Sequence, residues 1–324
     1  MMHLRDILCV VSLSSLACGL GPFAEPGGGD DRLPQSGAGP YVFAAPDFDT
    51  PADEPYVLAQ PIVSLTDPWV HKLDDGRYEI FYTRSTEDAS EVWRVRLESL
   101  DALPAEPPER VLAPSADWEG SVVRSPSLVV EGSEFFLYYE GGDDAPSIGL
   151  ARSTDGGQTF AKDVSNPVVT EAGDPDVIKT EESWLMVSID PLGEQIVLRE
   201  GQSAAAFGAP RALVSARLGA GTFDAFGVRA PALRRQTSSA GREHFGLFYS
   251  GLGPNADGEE TSSIGYQGSF DLQLWTAFLD GEPILSAGPA GAGGPAPLLD
   301  GTDSLLFVHQ ARQGRGRLAV AFGP

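Results

Sequence analysis

Five times along the 324-residue chain a proline stands at the head of a short apolar stretch, and no other feature restricts the fold so sharply. The stretches are Thr66-Asp67-Pro68-Trp69-Val70, Arg124-Ser125-Pro126-Ser127-Leu128, Gly173-Asp174-Pro175-Asp176-Val177, Arg229-Ala230-Pro231-Ala232-Leu233 and Gly294-Pro295-Ala296-Pro297-Leu298. Their prolines are 58, 49, 56 and 64 residues apart, in the range where repeated supersecondary units are sought first. After each comes a polar turn and then an apolar, mostly aromatic run, at 78–82, 135–139, 184–187, 245–249 and 305–309. Proline has no N–H for a sheet ladder, so it belongs at the first residue of a strand or on an edge strand. The innermost strand of a propeller blade is such an edge and faces a central channel. The pattern therefore predicts an all-β fold, a five-bladed β-propeller with four-stranded antiparallel blades. A residue preceding proline is pushed toward extended backbone. Asp67, Ser125, Asp174 and Ala230 are thus expected to be extended and to sit where the inner strands meet the channel mouth.

The other strands follow by matching. Third strands are expected at 148–152 and 264–268, and outer strands at 111–114, 167–170, 212–215 and 283–286. The fifth repeat has no such outer piece after it, whereas Pro55-Tyr56-Val57-Leu58-Ala59 precedes the first. If that segment supplies the missing strand, the two ends of the domain close the ring and no sheet edge is left open. Tyr41 to Ala44 is a further short strand candidate. Ser153-Thr154-Asp155-Gly156-Gly157-Gln158-Thr159-Phe160 has the pattern of an Asp-box hairpin, and 269–275 is a looser version; both read as structural.

Composition narrows the function classes. A formal net charge of −24 argues against a nucleic-acid partner, because phosphate binding relies on basic patches, and it points to neutral or cationic partners. Both cysteines, Cys9 and Cys18, lie in the first eighteen residues, so the domain has no disulfide framework, thiolate metal site or cysteine nucleophile. The four histidines show no metal-ligand spacing. No cofactor is expected and no metal site is indicated, a channel calcium included. Residues 1–18 read as a secretory signal: Arg5, an apolar run too short to span a bilayer, then Ser15-Leu16-Ala17-Cys18, which resembles the end of a bacterial lipoprotein signal. Acylation of Cys18 would anchor the chain at the cell surface or outer membrane; ordinary cleavage would release it. Residues 19–53, rich in Gly, Pro and Asp, are expected to form a flexible linker before a propeller at 54–324. A monomer is expected, touching the membrane through a lipid anchor alone.

The Asp-Pro starts, aromatic second strands, the Ile148-Gly149-Leu150-Ala151-Arg152 third strand and Asn166-Pro167-Val168 together resemble the five-bladed glycoside hydrolases of families 43, 32, 62 and 68, with family 130 as a relative. That resemblance covers about residues 54–322 and implies a carbohydrate partner. It also implies channel-facing carboxylates at the starts of the first, third and fourth blades. Asp67 matches the first, a general base or nucleophile. Asp174 matches the second, which tunes the acid; Asp176, two residues on, is set aside as pointing elsewhere. The third fails, because Val228-Arg229-Ala230 stands where a glutamate is implied. Glycosidic cleavage ordinarily needs one protonated carboxyl as acid and a second as base or nucleophile, and arginine does not give up its proton.

Two candidate replacements share one pattern. Trp118-Glu119 and Phe223-Asp224 are each followed after four residues by an arginine, a small residue and proline. Glu119 or Asp224 could reach the channel as the displaced acid, or each could clamp its own loop to the local arginine. Arg124 and Arg229 could instead bind an anionic sugar, since a guanidinium meets a carboxylate at two points. Trp69, Trp118 and Phe226 are candidate sugar-stacking residues or core. His71 and Glu140 are rim candidates, and His309 reads as structural. The expected function is acid/base hydrolysis of a glycosidic bond by an exported propeller, or glycan binding by one that has lost the acid.

Overall fold

The computed structural model describes residues 42–43, 63–100, 104–219, 221–237, 243–255, 257–286, 291–300, 303–312 and 315–323. The expected signal at 1–18, most of the linker and the segment 55–59 lie outside the described residues.

Five antiparallel sheets follow one another along the chain. Blade 1 holds Ser64–Lys72, Tyr78–Ser85, Ser90–Leu97 and Glu109–Leu112 from the channel outward. The inner three strands of blade 2 are Val123–Glu131, Glu134–Gly141 and Ser147–Ser153, and those of blade 3 are Gly173–Lys179, Trp184–Ile189 and Gln195–Ser203. Blade 4 has Gly227–Thr237, Glu243–Pro254 and Glu260–Ser269; blade 5 has Gly293–Asp300, Asp303–Arg312 and Arg315–Gly323. In blades 2 to 4 the outer strand is broken into two short pieces that pair with opposite ends of the third strand, as Ala161–Lys162 and Val169–Thr170 do in blade 2. Val42–Phe43 pairs antiparallel with Phe322 and Ala321 and is the outer strand of blade 5. An N-terminal strand thus closes the ring as expected, but it is the piece within 41–44 that does so.

The aromatic second strands have a direct physical cause. Each second strand is covered by a neighbouring blade on both faces, so it reads as a continuous apolar run rather than an alternating one. In blade 2, Phe136 and Tyr138 pack against Val177, Trp184 and Met186 of blade 3, whereas Leu137 and Tyr139 join Phe81, Val92 and Leu112 of blade 1. The apolar core is accordingly divided among five clusters, one at each junction of adjacent blades, the junction of blades 5 and 1 included. Both Asp-box turns are formed as read. Asp155 accepts the N–H groups of Gln158 and Thr159 at 2.9 and 3.0 Å, and Phe160 reaches blade 1 to meet Phe81 edge-on.

Each inner strand breaks register at its proline. In blade 1 Thr66 faces Thr83 and Trp69 faces Phe81, so one extra residue is inserted, and all five blades repeat this bulge. The residue before the proline is not extended: φ is 50° at Asp67, 52° at Ser125, 48° at Asp174, 44° at Ala230 and 59° at Gly294. Left-handed backbone costs a non-glycine residue about 1–2 kcal/mol, and here tertiary hydrogen bonds hold it. The freed N–H is taken by the end of the second strand of the preceding blade. Asp67 donates to His309 Nδ1, Ser125 to Thr83 Oγ1, Asp174 to Glu140 Oε2 and Gly294 to Ser250 Oγ, at 2.8–3.3 Å. Blade 3 has Ile189 at that position, which has no side-chain acceptor, and Ala230 N–H turns instead to Asp174 Oδ2 at 3.0 Å.

Gly294 differs from Ala230 through its surroundings. A Cβ at 294 would lie 2.7 Å from His309 Nδ1 and 3.1 Å from the Asp67 Cα, whereas Ser250 is the small residue in the register position of His309 in blade 4. Gly294→Ala is expected to cost about 1–3 kcal/mol in urea unfolding; a loss under about half a kcal/mol would show that His309 is free to move aside.

Candidate functional site at the channel mouth

The bulges aim the pre-proline side chains into one end of the channel. Asp67, Ser125, Asp174, Ala230 and Gly294 with their prolines line a cavity of about 30 Å³, so the prolines form a narrow waist. Asp174 is the most firmly held. Its Oδ1 accepts Ser125 Oγ at 2.9 Å and its Oδ2 accepts Ala230 N–H, which ties blade 3 to blades 2 and 4. Asp67 is looser: Oδ2 accepts the Thr66 hydroxyl at 2.9 Å, and Oδ1 lies 3.8 Å from His309 Nδ1. Because that nitrogen accepts Asp67 N–H, His309 carries no proton on Nδ1. Burial pushes the imidazole below its usual pKa, against the pull of Asp67 and Asp174.

The structure also brings Arg124 and Glu140 to this mouth. Arg124 donates from Nε and Nη2 to Glu140 Oε1 at 2.9 and 2.5 Å, while Glu140 Oε2 holds Asp174 N–H at 2.8 Å. Burial works against the Arg124 charge, but Glu140, Asp174 and Asp67 outweigh it and raise its pKa above the ordinary arginine value. Glu140 is 1% exposed, and burial together with the Asp174 charge lifts its pKa to about 7 in spite of Arg124. The mouth therefore gathers Asp67, Asp174 and Glu140 around Arg124 and His309. From the sequence Glu140 is a rim candidate and His309 a structural residue. The available signal was positional: Thr83, Glu140, Ser250 and His309 end equivalent second strands, three of them directly after Tyr82, Tyr139 and Tyr249.

Glu119 and Asp224 are not gathered there. Glu119 is fully buried and saturated: Lys162 Nζ at 2.6 Å, the N–H groups of Ser115 and Ala116, and the Tyr139 hydroxyl at 2.8 Å all donate to it. Burial alone would raise its pKa, but these donors outweigh it and the pKa is lowered. Asp224 accepts Arg217 Nε and Thr222 Oγ1, both at 2.7 Å. Both are loop clamps, though neither uses the arginine five residues on. The shared pattern has a packing cause: Trp118 stacks on Tyr139 and Phe223 lies against Tyr249, with Gly149 and Gly265 leaving room beneath those tyrosine rings.

Trp69 and His71 lie beyond the waist. Trp69 lines the channel and a cavity of about 410 Å³ at its other end, and His71 meets Trp69 edge-on and pairs with Glu79 at 3.1 Å. Phe226 is 49% exposed on the loop that enters blade 4. Arg229 has its guanidinium against Gly193, at the tip of a blade 3 turn. Among the described residues no cluster of three His, Cys, Asp or Glu side chains is arranged to hold a metal ion. Cys18 lies outside the described residues.

No family model and no curated protein matches the chain. Solved structures do. An exo-1,5-α-L-arabinanase from a bovine ruminal metagenomic library superposes with a TM-score of 0.60 at 16% identity, over 79% of this chain and 92% of that one. A β-1,2-mannobiose phosphorylase from Listeria innocua has a TM-score of 0.61 at 11% identity, over 85% and 94%. An E230A fructofuranosidase from Schwanniomyces occidentalis gives 0.61 at 14%, over 81% of this chain and 57% of that one. These are likenesses of fold, and at such identities they carry no activity across.

Proposed function

We propose that the channel mouth is a carbohydrate site of glycoside hydrolase type that binds a glycan without the acid needed to cleave it. The observation that carries this reading is the division of the acids. Asp67 and Asp174 share one ring beside Arg124, the Glu140 carboxylate there is held by Arg124 and by Asp174 N–H, and Glu119 and Asp224 are sealed under their own blades by hydrogen bonds. Charged acceptors beside a guanidinium suit the dense hydroxyls of a sugar, and the likeness to carbohydrate-active propellers agrees with that. The apolar run before Cys18 supports export, with a lipid anchor at that cysteine as part of the proposal.

Hydrolysis is the second reading, favoured by Glu140, whose pKa near 7 is the value a general acid needs. Asp67 would then be base or nucleophile and Asp174 the tuning carboxylate, with Glu140 released from Arg124. Glycan-array binding and turnover of arabinose, xylose, fructose and mannose aryl glycosides separate the two. Binding weakened about tenfold or more by Asp67→Asn, with no turnover, is the expected result. Turnover abolished by both Asp67→Asn and Glu140→Gln would establish hydrolysis instead, and the absence of any glycan binding would remove both.

A further inference from the structure

We infer that Arg229 makes the blade 4 side of the mouth a subsite for the carboxylate of an acidic sugar, an inference that rests on the carbohydrate reading above. Arg124 and Arg229 occupy the same place in the inner strands of blades 2 and 4, two residues before the proline. Their register partners differ: Arg124 faces Glu140, whereas Arg229 faces Ser250. The first guanidinium is taken up by that glutamate, whose Oε1 accepts both Nε and Nη2. The second has no such acid, and Ser250 Oγ is already occupied by Gly294 N–H. Among the described residues no carboxylate pairs with Arg229, and its one hydrogen bond goes from Nη1 to the carbonyl of its neighbour Val228 at 2.9 Å.

The surroundings hold this unpaired cation in place. Its guanidinium lies where a side chain at 193 would be, since a Cβ on Gly193 would come within 1.1 Å of Nη1. The turn carrying Gly193 is fixed to the strand by Val228 N–H donating to the Gly193 carbonyl at 2.8 Å. Leu192 is 72% exposed on the turn that carries Gly193, where Asp190 Oδ1 is taken by the Glu194 and Gln195 N–H groups, and Phe226, three residues before Arg229, is 49% exposed. A sugar ring offers the same combination, an apolar face for an aromatic side chain and a carboxylate for two-point bonding. Ala230, the next residue, donates its N–H to Asp174, so the strand that carries Arg229 is tied to the acid ring.

Charge selects the class of anion. Beyond Arg229 the mouth holds Asp67, Asp174 and Glu140 against Arg124, which repels a dianion such as phosphate more than a single carboxylate. The formal net charge of −24 opposes anionic ligands at long range. At physiological ionic strength, however, that field is screened within about 8 Å, and the contact group decides.

The test measures the affinity of the purified full chain for a galacturonate-containing oligosaccharide and for its neutral galactose counterpart, with inorganic phosphate as competitor. The acidic ligand is expected to bind at least about tenfold more tightly. In Arg229→Gln that ratio should fall to about one with the melting curve unchanged, and in wild type it should shrink as salt is raised. Binding of both ligands at equal affinity, a ratio that survives Arg229→Gln, or competition by phosphate at uronate-like concentration would overturn this inference and leave the carbohydrate reading standing. Failure to bind either sugar would overturn both.

Discussion

Replacing Asp176 with alanine is expected to lower the unfolding free energy by about 3–5 kcal/mol, the cost of breaking a buried ion pair from one side. Asp176 is 4% exposed below the proline waist and belongs to three blades at once. Its Oδ1 accepts Ser127 Oγ of blade 2 at 3.0 Å, and its Oδ2 accepts Leu233 N–H at 2.7 Å and Arg234 Nη1 at 2.9 Å, both from blade 4. Ser127 Oγ in turn accepts Val177 N–H at 3.0 Å, so the carboxylate organises a chain of donors that runs across the channel wall. Burial pushes the carboxyl above its usual pKa while Arg234, Leu233 N–H and Ser127 pull it down, the balance of a group whose charge depends on these partners. With alanine there, the Leu233 N–H and the Arg234 guanidinium lose their carboxylate acceptor, and Arg234 keeps only the carbonyls of Leu233 and Pro297. Asp176→Asn keeps an acceptor and should lose about half as much. Urea unfolding of the two variants decides it: a loss below about 1 kcal/mol for alanine would mean that the blades are not held through this residue.

Asp176 also shows where reading the chain was misled. The strand containing Asp174-Pro175-Asp176 is bulged, and both carboxylates line the channel, one above the waist at the mouth and one below it. Setting Asp176 aside as pointing away was therefore a misreading of the strand. The pre-proline rule failed at the same bulge for a related reason. It describes local sterics, and at Asp67, Ser125, Asp174 and Ala230 a hydrogen bond from another part of the ring holds a left-handed backbone that local preference disfavours. The blade count was legible because a proline at the inner edge and an apolar run in the second strand recur for structural reasons in every blade. The closing strand was located less well. A two-residue pairing such as Val42–Phe43 with Phe322 and Ala321 is too short to show a period, and 55–59 looked the better match.

Recurrence misleads differently for the acids. The likeness of Trp118-Glu119 to Phe223-Asp224 is real, but it reports one way of docking a loop onto its own blade, an aromatic ring on a tyrosine with a buried acid beneath. A repeated pattern in a propeller records shared packing before shared chemistry. The residues that differ between equivalent positions are the more informative ones, as Glu140 against Ser250 and Ile189 against Thr83 show.

Glu140 supplies the second large effect, and its sign is opposite to that of an ordinary surface ion pair. Its folded pKa, raised to about 7 by burial and by Asp174, lies above the unfolded value of 4.5. Between those values the folded chain binds the proton more readily than the unfolded chain. The contribution of this group to stability is therefore complete below about pH 4.5 and is lost as pH rises toward 7. The loss is on the order of 3 kcal/mol for a shift of this size. Other carboxylates titrate in the same range, so the quantity to measure is the difference between wild type and Glu140→Gln in denaturant unfolding at pH 5 and pH 8. Glutamine keeps an oxygen for Asp174 N–H but carries no charge, so wild type should lose stability relative to the variant by up to that amount on going from pH 5 to pH 8. Parallel stability curves would mean that Arg124 keeps Glu140 ionised throughout, and a group ionised at pH 5 could not supply a proton at neutral pH. The same pair of curves would then count against Glu140 as the proton donor for hydrolysis at this mouth.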